Sequence, residues 1–248
     1  MMDRSFLSDQ GIVAKSRDFV CIRLATYESA SEARILSSLL QTRSGLLENT
    51  VFAVLAPDGT TKLAPAGRTP REAFGTPDEG VRKMGDFLAK YPGKAPVGAD
   101  LPWLIDLRRG MNVAACELQP LIGVVAKTEE SRTKIEQALL PLAWSKEFAG
   151  KFDYVRAKSP AEAAEYVDGR LDGDGIFVVQ PDAFGTKGRL LAFVPGSDRD
   201  AMAKGMAKGF AAFAPEAKDS RRHIDEGVRK GLNWKTEIPV TDPMSPKR

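Results

Sequence analysis

Short apolar, β-branched runs alternate with helical patterns along the chain, which predicts an α/β protein with mixed β-sheets flanked by helices. Two further observations set the plan. Residues 101–213 read as α, β, α, β, α, β, β, α, and residues 1–91 repeat that order with one βα unit missing. Both halves close on strand, turn, strand, helix, with APDGTTKLAPAGR in the first matching QPDAFGTKGRLLAF in the second at the level of pattern. The expectation is two tandem modules, the first one truncated.

In the first half, a segment of irregular helical spacing (3–17) leads into FVCIRLATY (19–27), whose β-branched content predicts a strand. Ser29 or Ser31 then caps a helix to about Leu40, with Ala33, Ile35, Leu36, Leu39 and Leu40 at helical spacing. TVFAVLA (50–56) predicts a buried strand, and Pro57-Asp58-Gly59 is a turn that sends residues 60–64 back antiparallel. Residues 77–91 predict an amphipathic helix with Pro in its first turn. Residues 92–100 (PGKAPVGAD), with two Pro and two Gly in nine positions, read as a linker.

The second half predicts a helix at 101–117, a strand at 120–126, a helix at 129–148 and a strand at 152–157. Ser159-Pro160 starts a helix, with Ser as cap, Pro at the first position and Glu162 at the third. Asp172-Gly173-Asp174-Gly175 breaks the chain before strands at 176–180 and 189–194, and 198–213 is the closing helix. Within it, AMAKGMAKGF carries small residues that let a neighbour pack closely while the lysines stay in water. Residues 214–248 form a tail with one helix around 224–232 and an extended, Pro-rich end.

Composition narrows the function classes. The 248 residues carry 36 basic and 33 acidic side chains, interspersed, and no concentrated basic stripe marks a nucleic-acid surface. No apolar run approaches the roughly 20 residues needed to cross a bilayer, and the start, MMDRSFLSDQ, has no apolar signal core. As written the chain reads as a soluble cytoplasmic protein; a removed targeting segment would instead make it periplasmic or secreted. One histidine, His223, and two cysteines, Cys21 and Cys116, give no transition-metal ligand set and no disulfide framework, so neither metal nor cofactor is expected. Each cysteine reads as a small buried apolar residue, Cys21 inside a strand and Cys116 near a helix end.

A βαβ unit followed by a β-hairpin and a closing helix resembles the thioredoxin fold, here over about 200 of the 248 residues as two modules. The resemblance implies a Cys-x-x-Cys pair where strand meets helix. In this sequence that position falls on Tyr27-Glu28-Ser29-Ala30-Ser31 in the first module and on Thr128-Glu129-Glu130-Ser131 in the second. The family's proline before the hairpin falls near Asn49 and Gly175. Thiol–disulfide exchange needs a thiolate attacker and a resolving thiol beside it, and both junctions lack them. An unassisted Ser hydroxyl is a poor nucleophile, so Ser29 and Ser31 read as capping residues and Glu28 as a complement to the helix dipole.

The expected function is a redox-inactive, thioredoxin-like module that binds or assembles with a protein partner. Its contact candidates are Tyr27, Glu28, Ser29 and Ser31 at the helix start, with Asn49 and Trp234. Trp234 stands in an otherwise polar tail, where an aromatic folds back or meets a partner, whereas Trp103 and Trp144 suit core packing. The alternative is a thiol redox or peroxide-handling enzyme using Cys21 or Cys116 singly. A glutathione-transferase type would need an all-helical second domain, against the strand signals at 120–194.

Overall fold

The computed structural model describes residues 6–22, 24, 26–40, 47, 51–92, 100–216, 220–232 and 236–239. Contacts divide the chain into two units, Met1–Lys94 with Asn233–Arg248, and Ala95–Leu232. Residues 93–99 of the expected linker lie outside the described residues.

The second unit is built on a six-stranded mixed sheet of order β1-β3-β2-β5-β6-β4. Its strands are β1 (Trp103–Leu104), β2 (Leu121–Val125), β3 (Asp153–Arg156), β4 (Val167–Asp168), β5 (Gly175–Pro181) and β6 (Gly188–Pro195). β1, β3 and β2 run parallel; β5 pairs antiparallel with β2 and with β6, and β4 lies parallel to β6 at the edge. The helices are α5 (Leu107–Glu117), α6 (Glu129–Ala143), α7 (Pro160–Tyr166), α8 (Arg199–Ala212) and α9 (Ser220–Arg229).

β2 is buried at every position because both sheet faces are covered, which explains its continuous apolar run. Its alternate residues feed two cores. Ile122 and Val124 join Ile135 and Leu139 of α6 and Met202 and Met206 of α8. Leu121 and Val125 join Leu107, Met111 and Ala114 of α5, with Ala163 of α7. The glycines of α8 do what their spacing predicted. A Cβ on Gly205 would stand 2.2 Å from Val194 and one on Gly209 2.6 Å from Val178, while Lys204 and Lys208 are exposed.

Caps set the helix starts. Asp106 accepts from the Arg109 N–H, Thr128 from Ser131, Ser159 from Glu162 and Asp198 from Ala201. The Asp106 cap corrects the expected helix at 101–117: it starts α5 at Leu107, and Trp103–Leu104 joins the sheet as β1 instead.

The first unit contains α1 (Gln10–Ser16), α2 (Ala30–Leu39), α3 (Pro70–Phe74) and α4 (Pro77–Lys90). Thr76 and Glu79 form a full capping box on α4. Phe6, Ile12 and Met84 make a small core where α1 meets α4. The hairpin about residues 57–59 is present as two antiparallel bridges, Phe52↔Gly67 and Leu55↔Lys62. Asp58 tightens its turn, accepting from the Thr61 hydroxyl and from the Thr60 and Thr61 N–H groups, which together hold its carboxyl at about 2.

The expectation of two tandem sheet modules is corrected. One sheet exists among the described residues, and it lies in the second unit. The run at 19–27, expected as a strand, pairs with no strand there; Val20 and Ile22 are 68% and 75% exposed. A parallel βαβ strand needs a neighbouring strand to pair its backbone N–H and C=O groups. The two-bridge hairpin does not pair with it among the described residues.

Candidate functional site

The start of α2, at 27–31, is built around Ser29. It is 2% exposed, caps α2 by accepting from the Glu32 N–H at 3.4 Å, and shares a hydrogen bond with the Ser31 hydroxyl at 3.0 Å. The Tyr27 hydroxyl donates to the Leu47 carbonyl at 3.4 Å, and Glu28 is half-buried. The Ser29 hydroxyl is therefore engaged in capping, and those of Ser31 and Tyr27 in the hydrogen bonds around it. Among the described residues no histidine stands in this unit to serve either as a base.

The junction also holds a segment that sequence reasoning left without a role. The Tyr27 carbonyl accepts two consecutive N–H groups from the tail, Glu237 at 2.9 Å and Ile238 at 3.1 Å. The Glu237 carboxylate accepts from the Ala30 N–H at 3.2 Å, at the first turn of α2. The chain bends at Glu237 and Ile238 here, just before Pro239, and no local sequence pattern marks the contact. Asn49 and Trp234, the other expected contact residues, lie outside the described residues.

In the second unit the structure brings together the two positions singled out by the sequence. Thr128 caps α6 directly after β2, and the loop before Gly175 sits beside it: the Lys127 N–H donates to the Asp174 carboxylate at 3.0 Å. Glu129 and Glu130 point into solvent from the first turn, pairing with Arg132 and Lys134. This end of the sheet presents carboxylates at a capped helix and no thiol.

Both cysteines lie away from these junction positions, and their expected burial is corrected: Cys21 and Cys116 are exposed. The Cys21 thiol donates to the Ser16 carbonyl at 3.6 Å, and partial burial pushes its pKa up. That is the wrong direction for a nucleophile at neutral pH. Among the described residues no three His, Cys, Asp or Glu side chains converge on a metal-sized space.

Two further features escaped sequence reasoning. Arg156, at the end of β3, lies over Trp103 at 4.3 Å and holds Glu136 through two hydrogen bonds of 2.7 and 2.9 Å, with Asp100 at 3.6 Å. The Glu136 hydrogen bonds and the surrounding negative charge raise its pKa further. Each of these partners is distant in sequence or sits in a loop, so no local pattern marks them.

The other feature is a cleft of about 400 Å³ beside the β5–β6 turn, lined by Leu118, Asp182, Phe184, Phe213, Lys230 and Leu232. Phe184 stacks on His223 at 4.4 Å and lies under the Lys230 ammonium at 4.6 Å, which seats α9. Gln180 grips Ala214 through both halves of its amide, at 3.0 and 3.1 Å. Asp182 is committed to the turn, accepting from Phe184, Thr186 and Lys187. The cleft therefore combines apolar side chains with the Lys230 ammonium and the Asp182 and Glu216 carboxylates.

No family model matches the chain, and no curated protein or solved structure is significantly similar to it.

Proposed function

We propose that this chain is a redox-inactive, thioredoxin-like protein that works by binding or assembling with a protein partner. The carrying observation is the β2–α6 junction. A parallel β2–α6–β3 unit is followed by the β5–β6 hairpin and α8, the element order of that fold. At the point where such a module would carry its thiols, Thr128 caps the helix and Asp174 ties the facing loop to Lys127. Exchange chemistry needs an attacking and a resolving thiol together there. What remains is a rigid end of a sheet with an exposed acidic helix start, suited to contact rather than turnover. A nucleic-acid partner is disfavoured by those exposed carboxylates and by the nearly balanced charge.

The test pairs two measurements on the full chain. Affinity capture followed by mass determination of the purified complex should give a fixed stoichiometry. Insulin-disulfide reduction should not exceed the thiol-only control. Turnover abolished by Cys21→Ser or Cys116→Ser would overturn the proposal in favour of a single-cysteine redox enzyme, which the exposure of both thiols favours as the second reading.

A further inference from the structure

We infer that residues 236–239 form a releasable strap, which occupies the 27–30 junction in cis and is displaced by a partner's acidic segment that makes the same bend. This rests on the protein-binding reading and names the chemistry its partner would bring.

The contact combines two recognition elements. Backbone pairing comes first: the N–H groups of Glu237 and Ile238 both converge on the Tyr27 carbonyl, and neither depends on side-chain identity. The second element is charge. The first four N–H groups of a helix lack intrahelical partners and carry the positive end of its dipole. In α2, Ser29 takes the Glu32 N–H, and the Ala30 N–H is taken by the Glu237 carboxylate, 207 residues along the chain. The chain bends at Glu237 and Ile238, which turns their two successive N–H groups toward the same acceptor. The recognition unit is an acidic residue in a bend that presents two successive N–H groups.

The same contact is built to let go. Glu237 is exposed, and its bond to Ala30 competes with water. Tyr27 is half-buried, so its carbonyl receives the strap at an accessible edge. A strap joined to its own receptor acts at a high effective concentration, so few and individually modest bonds suffice to keep it seated. A partner segment that presents two successive N–H groups and a carboxylate, together with further contacts of its own, would replace it bond for bond.

Two arms test this on the full chain. Amide hydrogen exchange at Ala30 should accelerate about tenfold in Glu237→Ala, the effect of losing one charge-assisted hydrogen bond, with Met84 in the small core unchanged. Glu237→Gln, which keeps the shape and a neutral acceptor, should fall between the two. In the second arm a fluorescent peptide of sequence KTEIPVT is titrated into wild type and into a Glu237→Ala/Ile238→Pro variant, which has lost the carboxylate and one N–H donor. The variant should bind the peptide at least tenfold more tightly than wild type, and a KTAIPVT peptide should bind neither. Equal binding to both proteins, or Ala30 exchange unchanged in Glu237→Ala, overturns the strap. A seated, displaceable strap in a protein that forms no stoichiometric complex would discard the binding-module reading and leave the strap standing.

Discussion

The backbone N–H of Lys127 donates to the side chain of Asp174 at 3.0 Å, joining two loops 47 residues apart at the same end of the sheet. The Asp174 carbonyl also accepts from the Gly196 N–H at 2.7 Å, so this one residue ties the entry to β5 both to the start of α6 and to the exit of β6. Removing the carboxylate orphans the Lys127 donor without touching the core. Asp174→Ala should cost about 1 kcal/mol of stability, the net worth of such a hydrogen bond. Asp174→Asn, which keeps an acceptor oxygen, should cost less. Urea midpoints followed by tryptophan fluorescence measure both; equal losses would show that the carboxylate charge, not the hydrogen bond, matters.

Gly123 faces Phe177 across the β2–β5 ladder, and the two are register partners. A Cβ placed on Gly123 would stand 1.9 Å from the Phe177 ring, which is fully buried. The glycine thus makes room for the ring. Gly123→Ala should destabilise the protein by about 1–3 kcal/mol through overpacking. Gly123→Ala/Phe177→Leu should cost less than the sum of the single changes, because the smaller side chain vacates the contested space. Additive urea-midpoint shifts would contradict this pairing.

Tyr154 is buried in the face of the sheet that packs on α6 and α8, edge-on to Trp103 at 6.3 Å. Its hydroxyl has no hydrogen-bond partner among the described residues, and burial, with the nearby Asp153 charge, pushes its pKa far up. An unsatisfied buried hydroxyl costs free energy that phenylalanine does not. Tyr154→Phe should therefore leave stability unchanged or raise it by up to about 1 kcal/mol. A clear loss in thermal unfolding would mean that the hydroxyl is held by a bound water.

The second unit was legible because its signals are local and consistent. β2 and β5 are continuous apolar runs bounded by turns, and Ser159-Pro160 with Glu162 starts α7 as its spacing requires. The run at 19–27 has comparable composition but pairs with no strand among the described residues, and composition alone cannot supply one. The hydroxyl-rich helix start at 29–31 was readable as a cap. Its occupant was not, because Glu237 lies 207 positions from Ala30 and tail residues carry no periodicity to align. The Arg156–Trp103–Glu136 cluster was missed for the same reason: it depends on sheet order, which juxtaposes β1 and β3.

Asp182 makes the β5–β6 turn sensitive to acid. Burial opposes its ionisation, but hydrogen bonds from the Thr186 side chain and backbone, and from the Phe184 and Lys187 N–H groups, outweigh that and hold its pKa below the usual carboxylate range. A lowered folded-state pKa contributes stability above the unfolded value, and that contribution is lost as pH falls through the folded value. The turn should thus be intact at neutral pH and loosen below about pH 4. The Phe184 and Thr186 amide resonances should titrate together, at a midpoint below that of an ordinary carboxylate. Asp182→Asn should abolish the titration, and its persistence in that variant would assign it to another group.

The two exposed thiols separate the binding reading from its redox alternative. Burial raises the Cys21 pKa, so at pH 7–8 less of it is thiolate than in an ordinary exposed cysteine. In Cys116→Ser, which isolates Cys21, the reaction with a chromogenic disulfide should be slower than that of a free-cysteine peptide at pH 8. The gap should close as pH rises past the ordinary thiol range. The stability linkage has the matching sign: the folded chain holds the Cys21 proton more tightly, so that contribution is present below the ordinary thiol pKa and lost as pH rises through the folded one. A rate at pH 8 equal to or above the peptide's would mean a thiol activated by its surroundings, and Cys21 would then become the first residue to examine for turnover.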